Sequence, residues 1–266
     1  MIRTFYKALL RGPRFRGRGR LEGLLRSMLA PKADEVDGLR MELDPQEWLQ
    51  IEMLSGRPPE PATTALFRRL LKPGDTYIDV GAHVGFHVLA AARCVGPSGR
   101  VIAVEPQPYN CARILINSQV NDLDNVIVAM TAAGDQDGMI VLHDQKRNDK
   151  ARLSVIAGAG GGDVATRFEV PIQTIDSIRG RHAGGPVRLL KIDVEGYERE
   201  VLAGAAATLA ETENLVFECL PNSGAEHAED LTAIVAKAGF VIRQVDGSPW
   251  EPNSRALENN LWASRA

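Results

Sequence analysis

Short, uninterrupted apolar runs alternate along this chain with stretches whose apolar residues recur every three or four positions. The first pattern is that of strands buried on both faces, the second that of amphipathic helices. ATTALFRRLL (62–71) reads as a helix ended by Pro73-Gly74, TYIDVGA (76–82) as a strand and VGFHVLAAARCVG (84–96) as a helix. RVIAVEP (100–106) is the next strand, YNCARILINSQVN (109–121) the next helix, and NVIVAMTAAG (125–134) and GMIVLHD (138–144) read as strands. After a glycine-rich loop, AGAGGGD (157–163), β character resumes at FEVPIQTID (168–176) and VRLLKIDVEG (187–196). A helix through 197–211, a strand NLVFECL (214–220), a helix through 226–238 and strands at 239–245 and 259–265 complete the pattern. This alternation predicts a doubly wound α/β fold with a mostly parallel sheet, and the two last strands, with no helix between them, predict an antiparallel edge.

Composition changes this picture little. At 266 residues with 44% hydrophobic and 24% charged side chains, the chain can bury a full core, which excludes a wholly disordered or collagen-like chain. Cys94, Cys111 and Cys219 are too few and scattered for a disulfide scaffold or structural zinc site. No uncharged apolar run reaches the roughly 18 residues of a membrane span, and the N-terminus lacks the apolar segment of a secretory signal, so a cytoplasmic location is expected.

Charge adds a feature. Residues 1–32 hold nine basic side chains against the single acid Glu22, a net of +8, whereas the remainder carries −11. The expected organisation is a basic arm (1–32), an extension and linker (33–61, ending in GRPPEP) and a main domain (62–266). Residues 1–10 and 21–29 can each form a short amphipathic helix, so the arm is either a solvated extension or a peripheral contact with an anionic membrane. Nucleic acid is the weaker partner, because only Phe15 stands among the Arg-Gly alternation to stack on a base.

In an open α/β sheet the ligand lies beyond the carboxyl ends of the strands. The first strand delivers Asp79, Gly81, His83 and Gly85, where glycines permit a tight turn and close approach to a ligand. The second delivers Glu105-Pro106, an acid placed to accept both ribose hydroxyls of an adenosine. A dinucleotide fingerprint is absent, and a carboxylate at Asp79 would repel a pyrophosphate but suit an ammonium group such as that of S-adenosylmethionine. NAD is therefore disfavoured. Asp135 is a candidate for the adenine amino group or an ordinary turn acid.

These residues carry a resemblance. YIDVGAHVG (77–85), VIAVEPQPYN (101–110), the helix asparagines Asn117 and Asn121, and LLKIDVEGYEREVLAG (189–204) resemble the FkbM family of S-adenosylmethionine-dependent methyltransferases over about residues 40–220. The resemblance implies a class I methyltransferase (Rossmann-like) fold with a seven-stranded sheet whose last strand is antiparallel. It also implies O-methylation of a hydroxyl on a sugar, oligosaccharide or natural product. His83 departs from the family, which usually has asparagine there.

For the reaction, Asp193 at a strand end is a candidate base and Glu195 follows it in the turn, as a second catalytic acid or as a cap on the next helix. His143, whose ring type titrates near neutrality, is a further candidate base. Asp193, Glu218 and Asn222 together would suit Mg²⁺, a hard cation retaining water and substrate hydroxyls. The alternative from another class is a non-catalytic protein that docks on anionic membrane or nucleic acid through its basic arm.

Overall fold

The computed structural model describes residues 2–29, 32–145, 153–154, 164–183, 185–219, 225–251 and 254–265. The chain opens with helices α1 (Ile2–Arg11) and α2 (Arg18–Ser27), the hairpin β1 (Lys32–Val36) and β2 (Leu39–Leu43), and helices α3 (Trp48–Leu54) and α4 (Pro61–Leu70). Then follow β3 (Thr76–Val80), α5 (Phe86–Val95), β4 (Arg100–Val104), α6 (Pro108–Val120) and β5 (Val126–Ala129). A second group comprises β6 (Ala132–Ala133), β7 (Gly138–Gln145), β8 (Leu153–Ser154), β9 (Val164–Gln173) and α7 (Ile175–His182). The chain ends with β10 (Val187–Ile192), α8 (Glu198–Ala203), α9 (Ala206–Ala210), β11 (Thr212–Glu218), α10 (Ala225–Lys237), β12 (Phe240–Gln244) and β13 (Asn260–Arg265).

The central sheet has seven strands in the order β12-β13-β11-β10-β3-β4-β5. The block from β11 to β5 is parallel, and β13 runs antiparallel to both neighbours. The last strand is thus reversed as expected, but it is not the edge. It sits one place inside, hydrogen-bonded on both sides, and β12 forms the edge, because a reversed strand can return directly between β11 and β12.

Side chains along a strand alternate between faces, and here each face has its own core. Ile78, Val80, Ile102, Val104, Leu190 and Ile192 pack on one side. Tyr77, Val101, Ala103 and Leu189 pack on the other, against Phe67, Val88 and Ala91 of α4 and α5. Two predicted elements are broken by tight packing or a change of sheet. The helix expected through 197–211 divides into α8 and α9 at Gly204, where an added Cβ would collide with the Gly134 carbonyl oxygen. The strand expected through 125–134 divides into β5 in the main sheet and β6, which joins the four-stranded sheet β6-β9-β7-β8.

The N-terminal segment is structured. Val36, Leu39, Met41, Leu43, Met53 and Leu54 pack with Tyr6 against Val84, Phe86 and Leu89. The signal for the hairpin is Asp37-Gly38 between Val36 and Leu39, both turn residues having positive φ (52° and 76°). The basic arm is a pair of helices tied to the body: Arg3 Nε and Lys7 Nζ each lie 2.6 Å from an Asp34 carboxylate oxygen. Asn117 and Asn121 find their role here. The Asn117 side-chain oxygen accepts the Glu42 N–H (2.7 Å), and that of Asn121 accepts the Arg40 N–H (3.0 Å).

Candidate active site

The site forms where β3, β4, β10 and β11 end. After Val80 the chain turns at Gly81 (φ 83°), and the Gly81 N–H donates to the Val104 carbonyl at 2.9 Å. A Cβ at Gly81 would run into the carbonyl oxygen of Asp193, and one at Gly85 would press on Ile114 of α6. Both glycines therefore permit close packing of the chain on itself.

Glu105 follows directly on β4 and is buried. Its Oε2 accepts the His83 N–H (2.9 Å), and its Oε1 accepts the Gln107 N–H (2.9 Å) and the Asn110 side-chain N–H (3.2 Å). Burial pushes its carboxyl up to about 7 against those three hydrogen bonds. His83 contributes through its backbone at φ 50°, a left-handed conformation in which Asn, Asp and His are enriched among non-glycine residues. That backbone conformation accommodates a histidine at this position. Pro106 follows, leading into α6.

Asp79 pairs across the sheet with Lys191 on β10, on the face covered by α4 and α5. Lys191 is 2% exposed and its Nζ lies 2.6 Å from Asp193 Oδ2. Burial pushes the Asp79 carboxyl up to about 6, opposed by the Lys191 charge, and its Oδ1 has no hydrogen-bond partner among the described residues. Desolvation opposes the Lys191 charge, but the carboxylates of Asp193, Glu60 and Asp79 outweigh it and raise its pKa. Around this ion sit Tyr77, Glu60 and His87. Glu60 caps α4 at φ 44°, with its carboxyl pushed up to about 7 by burial, and the His87 imidazole lies 3.7 Å from it. Burial and the Lys191 charge hold His87 well below its ordinary range.

Sequence reading missed these four residues. Lys191 carried a signal: it is a cation inside the apolar run VRLLKI, two residues from Asp193 and so on the same strand face. Tyr77 and His87 lie within runs read only as strand and helix, and Glu60 lay in a segment read as linker, so only tertiary packing brings them in.

Asp193 follows β10 as expected. Glu195 stands beyond it at φ 55°, exposed. Buried Glu198 closes that turn, its Oε1 accepting the N–H groups of Val194 (3.0 Å) and Gly196 (3.1 Å). Glu218 ends β11, where burial and the neighbouring Asp193, Glu195 and Glu198 push its carboxyl up to about 10. Asn222 lies outside the described residues. Among the described residues no group of three or more His, Cys, Asp or Glu side chains could hold a metal ion, so they do not by themselves complete a Mg²⁺ site. Asp135 is exposed beyond β6, near the junction of α8 and α9. His143 lies on β7 of the smaller sheet, opposite Arg167, and no hydrogen bond or ion pair among the described residues joins it to the strand-end group.

Comparison with known proteins decides the family. A family model described as the methyltransferase FkbM domain matches residues 79–242, more than half of the chain and all of the strand-end row from Asp79 to Glu218. The chain belongs to the FkbM methyltransferase family. Among curated relatives, the 31-O-demethyl-FK506 methyltransferase FkbM of Streptomyces tacrolimicus is 29% identical over 159 residues, 50% of this chain and 60% of that protein. An arsenite methyltransferase of Halobacterium salinarum is 39% identical over 56 residues, 21% of this chain and 14% of that protein. The chain thus spans less than two thirds of either relative. A Clostridium thermocellum structure described as an rRNA methylase shares the fold at TM-score 0.50, with 11% identity over 79% of this chain and 97% of that one. Membership of the FkbM family agrees with the KIDVEGYE segment, which holds both Lys191 and the turn-closing Glu198.

Proposed function

We propose that this FkbM-family chain transfers a methyl group from S-adenosylmethionine to a hydroxyl of a sugar, oligosaccharide or natural-product acceptor. The observation that carries the reading is the pair of buried strand-end carboxylates. Glu105 is fixed by three N–H donors, and Asp79 keeps an oxygen without a partner. Glu105 is suited to the ribose hydroxyls and Asp79 to the ammonium of the methionyl end, a donor that its unpartnered Oδ1 lacks. Asp135 is assigned to the adenine. An oxygen acceptor is favoured by the Streptomyces relative, whose name gives 31-O-demethyl-FK506 as its substrate.

When bound, S-adenosylmethionine supplies an electrophilic methyl group on a sulfonium sulfur. The chain's own residues do the rest. Lys191 holds Asp193 by its Oδ2, so the carboxylate keeps one orientation at the mouth of the site. Asp193 orients the acceptor hydroxyl and takes its proton, and the methyl group that the oxygen gains would come from the bound donor, leaving its demethylated thioether. Positioning of the nucleophile supplies much of the rate in such a transfer.

Calorimetric titration with S-adenosylmethionine and with its demethylated product tests this assignment. Glu105→Ala is expected to weaken both by about 100-fold, the loss of two charge-assisted hydrogen bonds at about 1.5 kcal/mol each. Unchanged affinity would remove Glu105 from the ribose site.

Affinity should also depend on pH with a defined sign. Glu105 and Asp79 are raised to about 7 and about 6, and both must be ionised to accept from the ligand. Binding therefore expels protons, and affinity falls as pH drops below these values, by up to about tenfold per pH unit for each group. Titrations between about pH 8 and pH 5.5 check this, and a flat profile would contradict it.

A further inference from the structure

The two N-terminal helices bury one side and leave another bare. Tyr6 and Leu10 of α1, with Leu25 of α2 and Leu29 just beyond it, pack into the N-terminal core. Facing away are Ile2 and Phe5 on α1, Phe15 in the connecting turn, and Leu24 and Met28 along α2. These are five of the eleven exposed large hydrophobic side chains among the described residues, gathered into 27 consecutive positions. Such clustering marks an interaction surface, whereas scattered exposed side chains do not.

The charges say what covers it. Arg3 and Lys7 are engaged by Asp34, and Arg11 donates to the Ser55 carbonyl. Arg18 pairs with Glu22 and donates to the carbonyls of Leu10 and Gly12, closing the end of α1 and fixing the turn to α2. Arg14, Arg16 and Arg20 are exposed, and their side chains have no hydrogen bond or ion pair among the described residues. Arg20 stands one helical turn before Leu24, which stands one turn before Met28, so cation and aliphatic side chains share a stripe.

We infer that the α1–α2 pair is a preformed docking surface for an anionic lipid bilayer. Ile2, Phe5, Phe15, Leu24 and Met28 enter the headgroup boundary while Arg14, Arg16 and Arg20 meet lipid phosphates. Aliphatic side chains outnumber aromatic ones, which suits acyl chains better than stacked bases. The surface is also tied to the rim of the strand-end site. The Gln46 side chain donates to the Arg26 carbonyl (2.8 Å), its backbone N–H donates to Asp44 (2.8 Å), and Asp44 accepts the Tyr109 hydroxyl (2.8 Å) at the start of α6. Docking through α2 therefore holds that rim near the lipid.

The test is co-sedimentation of the full chain with vesicles of phosphatidylcholine alone or mixed with phosphatidylglycerol, at low and high salt. Binding to the mixed vesicles, weakened by salt, is expected, with none to phosphatidylcholine alone. Arg14→Gln/Arg16→Gln/Arg20→Gln should lower partitioning by about 100-fold, at about fivefold per charge. Phe5→Ser/Phe15→Ser/Leu24→Ser should abolish binding with an unchanged thermal melt, because these side chains are exposed. The proposal is overturned if the chain ignores anionic vesicles, or if both variants bind as the parent does. It is equally overturned if the variants instead lose binding to single-stranded RNA, or lose self-association seen by light scattering. Cofactor titration is independent of all these outcomes.

Discussion

Lys191→Met is expected to destabilise the protein by about 3–5 kcal/mol, the usual cost of removing one partner from a buried ion pair. In a chain of 266 residues that corresponds to a fall in Tm of about 10 °C. Methionine fills the space, so the effect isolates the charge. Without Lys191, Asp79 (1% exposed) faces Tyr77 and the carboxylates of Glu60 and Asp193 with no cation among them. The sign with pH follows. Burial already raises Asp79 above its ordinary value, and loss of Lys191 raises it further. A carboxyl with a raised folded pKa stabilises the fold while protonated, and that stability is lost as pH rises through the folded value. The deficit of the variant should thus be larger at about pH 8 than at about pH 5. Adding Asp79→Asn should recover much of it at the higher pH. Thermal melts across that range decide the matter, and a variant melting with the parent at pH 8 would show that the buried charge is not needed.

Gly81→Ala should be nearly as damaging for a different reason. The residue has φ 83°, and its Cβ would occupy the place of the Asp193 carbonyl oxygen, part of the backbone of the neighbouring strand end. Relief requires β3 and β10 to separate where the Asp193 N–H donates to the Val80 carbonyl at 3.0 Å. A cost of about 3 kcal/mol or more is expected from the left-handed dihedral and the overlap together, with loss of cofactor binding. Gly196→Ala is the control. Its φ is 98° but nothing lies within 4 Å of an added Cβ, so only the dihedral cost of about 1 kcal/mol remains. Equal melting of the two variants would contradict the role given to the Asp193 contact.

The parallel sheet and its strand-end acids were legible in the sequence because its strands are largely apolar runs, of which β4 and β10 are each followed directly by an acid. VRLLKIDVEG announces both a strand and Asp193. What escaped reading depends on partners distant in sequence. Glu60 sits beside the site because the Glu258 carboxylate, almost 200 residues away, accepts the N–H groups of Ala62 and Thr63 and fixes the start of α4. The hairpin and α3 escaped for a different reason: their five- and seven-residue elements are too short to establish a period, and only Asp37-Gly38 marks the turn. Glu195 and Glu198 show the limit of spacing arguments. Both acids fit a turn before a helix, and the positive φ at Glu195 and Gly196 is what aims Glu198 back at the turn.

Asn117 of α6 and Asn121 at its C-terminal cap have a consequence for how copies of this chain behave in a crowded solution. Residues four apart on a helix are separated by about 6 Å and residues two apart on a strand by about 6.7 Å, so Asn117 and Asn121 meet the outward backbone of Glu42 and Arg40 in step. The Asn121 amide also donates to the Arg40 carbonyl, so that residue's outward donor and acceptor are both occupied. An open strand edge is a template on which another chain can add a strand and begin an aggregate. On this side of the hairpin that template is already filled by a helix, and edge-to-edge growth has no place to start there.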